Sequence, residues 1–367
     1  MDTKTAKLLS RIEAEQAAIR RVDLSSTVGI TKVPDALRSC KQLEFLDLPG
    51  LSITSVPEWV FQLPNLKRLR IFCTELPAVP DAIGLATELE ELYMDVKPSA
   101  PIPPSLFTLA KLQTLMLAGR IIDVPEDIAK LKNLTDLELI DTRVQRLPVA
   151  VGAIPLKRFA ISQSIYPMFD KTPPVDLAQI IEVLASNPKL RSFEVTGSSL
   201  GPIPASINQL KGLTKLKLTE SRIADYPPSI YDLVELTELL LGVNEIGKIH
   251  PGIGRLAKLK KLELNANWKN KLDATALFDE ISSLAALEQL NVSNCLSVTT
   301  LPAAIASCKK LKSIDIDNNI VASLPPELAT MTWLQKLRIS TNKLTPEVGA
   351  DLSAKLPNTK VFCLIRK

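Results

Sequence analysis

Apolar positions recur along this chain with a period of about 23 residues, from Ile19 almost to the C-terminus. Segments beginning at Leu43, Leu66, Leu89, Leu190, Leu213, Leu236, Leu311 and Leu334 follow a Leu-x-x-Leu-x-Leu pattern. An apolar-Pro pair and two more apolar anchors come after it. Leu213, Leu216, Leu218, Ile223, Tyr226-Pro227, Ile230 and Leu233 make one complete unit. Within it, Lys215-Leu216-Lys217-Leu218-Thr219 alternates with period two, which predicts a strand burying one face. Further units begin at Ile19, Leu112, Leu134, Leu156, Leu259 and Leu287. Before the register starts, Leu8, Leu9, Ile12 and Ala17 form a loose helical stripe. It predicts a helix that caps the open end of the first unit.

Self-similarity at this period and spacing resembles the leucine-rich-repeat family, over roughly nine-tenths of the chain. The proline-containing, 23-residue style resembles repeats of bacterial cytosolic and effector proteins and of Ras-related scaffolds. The resemblance implies an α/β horseshoe-shaped solenoid, with a parallel β-sheet on the concave side and turns or short helices on the convex side. It divides the chain into a capping helix (1–18), about thirteen repeats (19–333) and a C-terminal repeat and cap (334–367). Two units are long, 156–189 and 259–286. Helical patterns over Val175–Leu184 and Ala274–Leu284 predict an α-helix in each. The last unit predicts a helix over Pro346–Lys355 and an edge strand over Val361–Ile365, with Arg366-Lys367 as edge protection.

Asn suits the ninth position of a unit because its amide satisfies backbone groups left bare where the chain leaves the strand. Asn244, Asn267, Asn319 and Asn342 occupy it; Thr27, Thr74, Thr142, Ser164, Ser198 and Ser221 put a hydroxyl there, which can also bond to backbone. Leu51, Lys97 and Arg120 depart from the pattern and predict less regular turns in the N-terminal third. Pro34, Pro57, Pro80, Pro103, Pro125, Pro148, Pro204, Pro227, Pro302 and Pro325 share one phase. There a fixed φ and a missing amide hydrogen suit the opening of a turn.

Charge and targeting signals add little. Net charge is +4 over 44 basic and 40 acidic residues, without a long run of one sign, which argues against nucleic-acid or membrane-surface partners. No stretch reads as a signal peptide or a membrane span. The five cysteines are scattered and odd in number, and no paired-cysteine cap appears. The expected location is the cytoplasm, with injection into a host cell as the alternative.

Catalytic signals are equally sparse. The single histidine, His250, sits at the proline phase and reads as an exposed turn residue. No zinc-ligand spacing, phosphate-binding loop or dinucleotide fingerprint is present, so no metal and no cofactor is expected. Some bacterial effectors join such repeats to a ubiquitin-ligase, kinase, GTPase or AMP-transferring domain; this chain leaves no residues for one. The expected function is non-enzymatic binding of a protein or peptide by a monomer. The alternative is an effector acting on host proteins as a ligase-type enzyme or substrate adaptor, for which Cys73 is the cysteine nearest the concave side.

The binding candidates are the residues between the strand leucines. Phe45, Arg68, Arg70, Phe72, Glu91, Tyr93, Asp95, Met116 and Ile140 place large apolar side chains on five successive strands spaced about 4.8 Å apart. Aromatic residues with an arginine and carboxylate rim have the composition of an interface hot spot, the arginines selecting an acidic feature. The same residues also fit plain cross-strand packing. Corresponding positions from Leu287 onward (Gln289, Asn291, Ser293, Ser313, Asp315, Asp317, Lys336, Arg338, Ser340) are polar. Two further candidates are the loop carrying Tyr166 and Phe169, either folded over the groove or plugging its own repeat, and a mixed-charge face of Lys215, Lys217 and Lys261 with Glu194, Glu220, Glu238 and Glu263.

Overall fold

Each period-two alternation is a short strand in the computed structural model, which describes residues 3–25, 27, 29–49, 53–72, 76–78, 80–95, 102–119, 121, 123–163, 175–197 and 200–364. Two compact units divide the chain: residues 1–173 with 183–190, and residues 174–182 with 191–367. Unit 1 opens with helix α1 (Thr3–Ala14). The strands β1 (Arg21–Asp23), β2 (Phe45–Pro49), β3 (Arg68–Phe72), β4 (Glu91–Asp95), β5 (Thr114–Ala118), β6 (Asp136–Ile140) and β7 (Arg158–Ser162) follow, with a short helix α2 (Glu58–Phe61) before β3. Each pairs parallel with the next, in chain order. A parallel pair needs a crossover of a dozen or more residues, and one repeat supplies it.

Helix α3 (Leu177–Ala185) lies in the first long repeat. Unit 2 carries β8 (Ser192–Thr196), β9 (Lys215–Thr219), β10 (Glu238–Leu240), β11 (Lys261–Glu263), helix α4 (Thr275–Glu280), β12 (Gln289–Asn291), β13 (Ser313–Asp315), β14 (Lys336–Arg338), helix α5 (Pro346–Lys355) and β15 (Lys360–Phe362). These strands are again parallel and in chain order.

The repeats of unit 1 differ in length by no more than a residue or two, absorbed outside the strands, so equivalent residues stack in rows. In unit 1, Val22, Leu46, Leu69, Leu92, Leu115, Leu137 and Phe159 form one core row, each at most 2% exposed. Burying a side chain of this size stabilises by about 1.5–3 kcal/mol. Because every row repeats that gain, the core grows along the chain without needing a single centre.

On the far side of the core, the ten prolines open turns. Their φ values lie between −61° and −76°. Each proline carbonyl accepts a hydrogen bond from the amide three residues on, as Pro34 does from Leu37 and Pro325 from Leu328. The repeat with His250 at this phase behaves differently. Its turn opens at Gly252, whose φ of +103° favours glycine. The Glu280 carboxylate at the end of α4 accepts from the Gly252 and Gly254 amides, both at 2.7 Å.

His250 is not the exposed turn residue its position suggested. Its side chain is 15% exposed and its Nε2 lies 2.7 Å from Asp225 Oδ1. The Tyr226 ring packs edge-on against its imidazole, and the Tyr231 hydroxyl donates to its carbonyl. Burial is the largest influence on Asp225 and raises its carboxyl. Hydrogen bonds from His250 and the Tyr226 amide, with the charges of His250 and Lys248, outweigh it and hold the carboxyl below the usual range.

The ninth-position slot confirms the role of asparagine. Asn267, fully buried, donates to the carbonyls of Leu241 and Leu264 and accepts from the Ile246 amide, tying its own repeat to the previous one. Asn244, Asn319 and Asn342 do the same. In the repeat beginning at Leu287 the slot holds Cys295, whose Sγ reaches the Leu264 carbonyl at 3.3 Å. Hydroxyls are less uniform than expected. Ser221 and Thr27 bond to backbone, but the fully buried Thr142 Oγ1 has no partner. In nine repeats the residue just before the slot has a left-handed φ, among them Asp141, Val243 and Thr341, and only Gly119 and Gly197 of the nine are glycines. That conformation costs about 1–2 kcal/mol for another residue, so the slot's hydrogen bonds have strain to offset. Thr74, Leu51, Lys97, Arg120, Ser164 and Ser198 lie outside the described residues, as do Cys73 and Ile365–Lys367.

Candidate functional site: the strand face of unit 1

Alternation turns the residues between the core leucines onto the opposite face of the sheet, where register lines them up in three rows. The first runs Arg21, Phe45, Arg68, Glu91, Thr114, Asp136, Arg158, and the second Asp23, Asp47, Arg70, Tyr93, Met116, Glu138, Ala160. The third runs Phe72, Asp95, Ala118, Ile140, Ser162. Eight of the predicted site residues therefore share one patch spanning β2 to β6: Phe45, Arg68, Arg70, Phe72, Glu91, Tyr93, Asp95 and Ile140, all partly exposed.

Met116 belongs to the same row but is 7% exposed, so it supports the patch from below instead of projecting from it. Ala118 on the same strand and Ala160 two strands on are also buried, at 6% and 1%, which leaves this part of the face low. Asp47 likewise is buried, its Oδ2 3.7 Å from Arg21 and its Oδ1 without a partner. Tyr166 and Phe169 lie outside the described residues.

Within the patch, cations and rings alternate. The Arg68 guanidinium sits 4.8 Å over the Phe45 ring and 3.7 Å from Glu91. That of Arg70 is 5.6 Å from the Phe72 ring and 4.9 Å from the Tyr93 ring. Tyr93 donates its hydroxyl to Glu91 at 3.1 Å. Each cation–ring contact stabilises by about 0.5–2 kcal/mol, depending on how dry it is. The rings are thereby held in place before any partner arrives. Burial first, and the Glu91 charge second, push the Tyr93 hydroxyl above its ordinary pKa, so it stays a neutral donor.

Two arginines that look alike in Arg68-Leu69-Arg70 thus have different surroundings. Arg68 has a carboxylate within reach, although its buried Nε is unpartnered. Arg70 makes no ion pair or hydrogen bond among the described residues, its Nε included. Asp95 is the reverse case. Burial, and then the charge of Asp141, raise its carboxyl, and no cation or hydrogen-bond donor among the described residues opposes them.

In unit 2 the equivalent face is ionic. Lys215 pairs with Glu194 at 2.9 Å and Lys261 with Glu263 at 2.8 Å. Arg338 bridges Asp315 and Asp317 at 3.1 and 2.6 Å. One aromatic residue there escaped the sequence reading. Phe362 on β15, 40% exposed, lies in register with Arg338, whose guanidinium is 5.3 Å from its ring. The signal was present, since Val361 falls at the strand-core phase and places Phe362 on the outer face.

Among the described residues, no group of three or more His, Cys, Asp or Glu side chains could hold a metal ion, and no helix is long and apolar enough to cross a membrane. The four described cysteines, Cys40, Cys295, Cys308 and Cys363, are free thiols.

No protein-family model matches the chain. It is similar to a human volume-regulated anion channel subunit, LRRC8B, with 27% identity over 190 residues. That stretch is 51% of this chain and 23% of the relative, so the likeness spans about a quarter of the human protein. Among solved structures it is similar to a leucine-rich-repeat protein of Leptospira interrogans, with 24% identity, a TM-score of 0.71 and 97% of both chains covered. It is also similar to a chain of the Toll–Spätzle complex of Drosophila, with 15% identity and a TM-score of 0.66, over 89% of this chain and 45% of that one. At these identities the likeness is one of fold. With the 23-residue register, the stacked parallel strands and the asparagine slots, it shows that this chain has the leucine-rich-repeat fold.

Proposed function

We propose that the strand face of unit 1 is the concave groove of a non-enzymatic interaction module and binds a protein or an extended peptide. One observation carries this reading: three adjacent strands, β2 to β4, present Phe45, Phe72 and Tyr93 partly exposed and fixed by stacked guanidinium groups. Rigid aromatic side chains lose little entropy on binding, and such residues ringed by charge dominate binding energy at interfaces. A solved relative of the same fold is held in a protein complex, Toll with Spätzle, which supports a binding role.

Phe72 and Tyr93 are the anchors, with Phe45 and Ile140 around them and Met116 beneath. Affinity purification from the source cells, with wild type and a Phe72→Ala/Tyr93→Ala double variant as baits, tests the assignment. A partner recovered by the wild type should be lost with the variant, while the melting temperature changes little because both rings are partly exposed. Equal recovery by both baits rejects the site.

A further inference from the structure

Among the described residues, Arg70 and Asp95 on this face have neither an ion pair nor a hydrogen bond, and they point to the chemistry of the ligand. Arg70 carries a fixed positive charge that stacks on two aromatic rings; Asp23, two strands away in its row, feels that charge, but among the described residues Arg70 forms no ion pair. The row that holds it includes Asp47, but that carboxylate reaches toward Arg21 on the other side. Asp95 sits one strand over and two positions along, since Arg70 pairs in register with Tyr93 and Phe72 with Asp95. Its carboxyl is half-buried beside small Ala118 with Asp141 nearby, and among the described residues it pairs with no cation. A charge left without a counter-charge in a partly dry site costs free energy that a complementary charge on a ligand recovers.

From this juxtaposition we infer that the ligand of the groove is an extended peptide segment bearing one acidic and one basic side chain two residues apart. The acid meets Arg70 between the Phe72 and Tyr93 rings, and the base meets Asp95. Strand spacing and rise put the two sites on the order of 7–8 Å apart. Residues i and i+2 of an extended segment lie about 6.6 Å apart on one face, which matches. Arg68 takes no such part, because Glu91 and the Phe45 ring already engage it. The acidic feature expected to be selected by Arg68 and Arg70 is in this inference met by Arg70, with a base added at Asp95. This inference rests on the groove reading above.

The test is selection of a random linear heptapeptide library displayed on phage against the immobilised full chain. Wild type should enrich peptides with an acid and a base at i and i+2 in one order, and the charge-reversed Arg70→Glu/Asp95→Lys variant should enrich the opposite order. For a synthetic selected peptide, Arg70→Gln should weaken binding at least tenfold. The same substitution should have little effect once the peptide's acid is replaced by its amide. A merely structural role for Arg70 would weaken both peptides equally. Circular dichroism and melting of each variant confirm that it folds. Enriched peptides that lack the pair, yet depend on Phe72 and Tyr93, overturn this inference and leave the groove reading standing; no enrichment at all also overturns this inference, and the affinity purification above decides the groove reading.

Discussion

Thr142 and Asn267 occupy the same slot in different repeats, yet substitutions there should change stability in opposite directions. Asn267 is fully buried and makes three hydrogen bonds to backbone groups that have no water to turn to. Each buried group left unpaired costs about 1–3 kcal/mol, so Asn267→Ala should destabilise by about 3–6 kcal/mol after its neighbours relax. Thr142 is equally buried, but its hydroxyl has no partner. A buried hydroxyl without a hydrogen bond costs about 1–3 kcal/mol in mutational data. The near-isosteric Thr142→Val should therefore stabilise by about 1–2 kcal/mol. With an unfolding entropy of about 2.1 cal/mol/K per residue, a chain of this length unfolding as one body gains or loses about 1.3 °C per kcal/mol. Calorimetry should then show Thr142→Val melting about 1–3 °C higher than wild type and Asn267→Ala about 4–8 °C lower. Thr142→Ser, which keeps the hydroxyl and removes the methyl, should melt below wild type. A Thr142→Val variant that melts lower would refute the reasoning, because it would mean the hydroxyl is satisfied.

Three other expectations follow from the same geometry. Glu280→Ala removes the acceptor for the Gly252 and Gly254 amides and should destabilise by about 2–4 kcal/mol in urea unfolding, with Glu280→Gln intermediate. The Asp95 carboxyl is raised in the folded chain, by burial and then by Asp141, so its contribution to stability is present below its unfolded pKa and lost as pH rises through the folded value. Asp95→Asn should accordingly stabilise at neutral pH and do so less near pH 3; melting curves at the two pH values check it. Burial pushes the Cys295 thiol up to about 11 and leaves it fully enclosed, whereas Cys363 is partly exposed. Alkylation mapped by mass spectrometry should modify Cys363 well before Cys295 in the native protein, and comparable rates would contradict the placement.

Much of the scaffold is legible in the sequence because its causes are local and repeated. A period-two leucine pair makes a strand, a proline at fixed phase opens a turn, and Pro346–Lys355 is a helix over the span its pattern marks. Even Cys295 in the asparagine slot can be found by counting along the register. The state of the strand face is less legible, because it depends on which repeats lie side by side. Nothing in Arg68-Leu69-Arg70 distinguishes the two arginines until register puts Glu91 in the row of Arg68 and Tyr93 in the row of Arg70. Met116 and Ile140 read alike as projecting apolar residues, yet only Met116 is buried, between Tyr93 and Glu138 in its row. His250 likewise gains its role from Asp225 in the preceding repeat, 25 residues away in sequence.

If partner binding is concentrated in the Phe72 and Tyr93 rings of unit 1, isothermal titration of a purified partner or selected peptide against wild type and Phe72→Ala/Tyr93→Ala will show it. Two anchors of about 2 kcal/mol each predict a dissociation constant weakened by a factor of roughly 700. An unchanged constant, with the double variant still folded and melting as wild type does, would contradict the account.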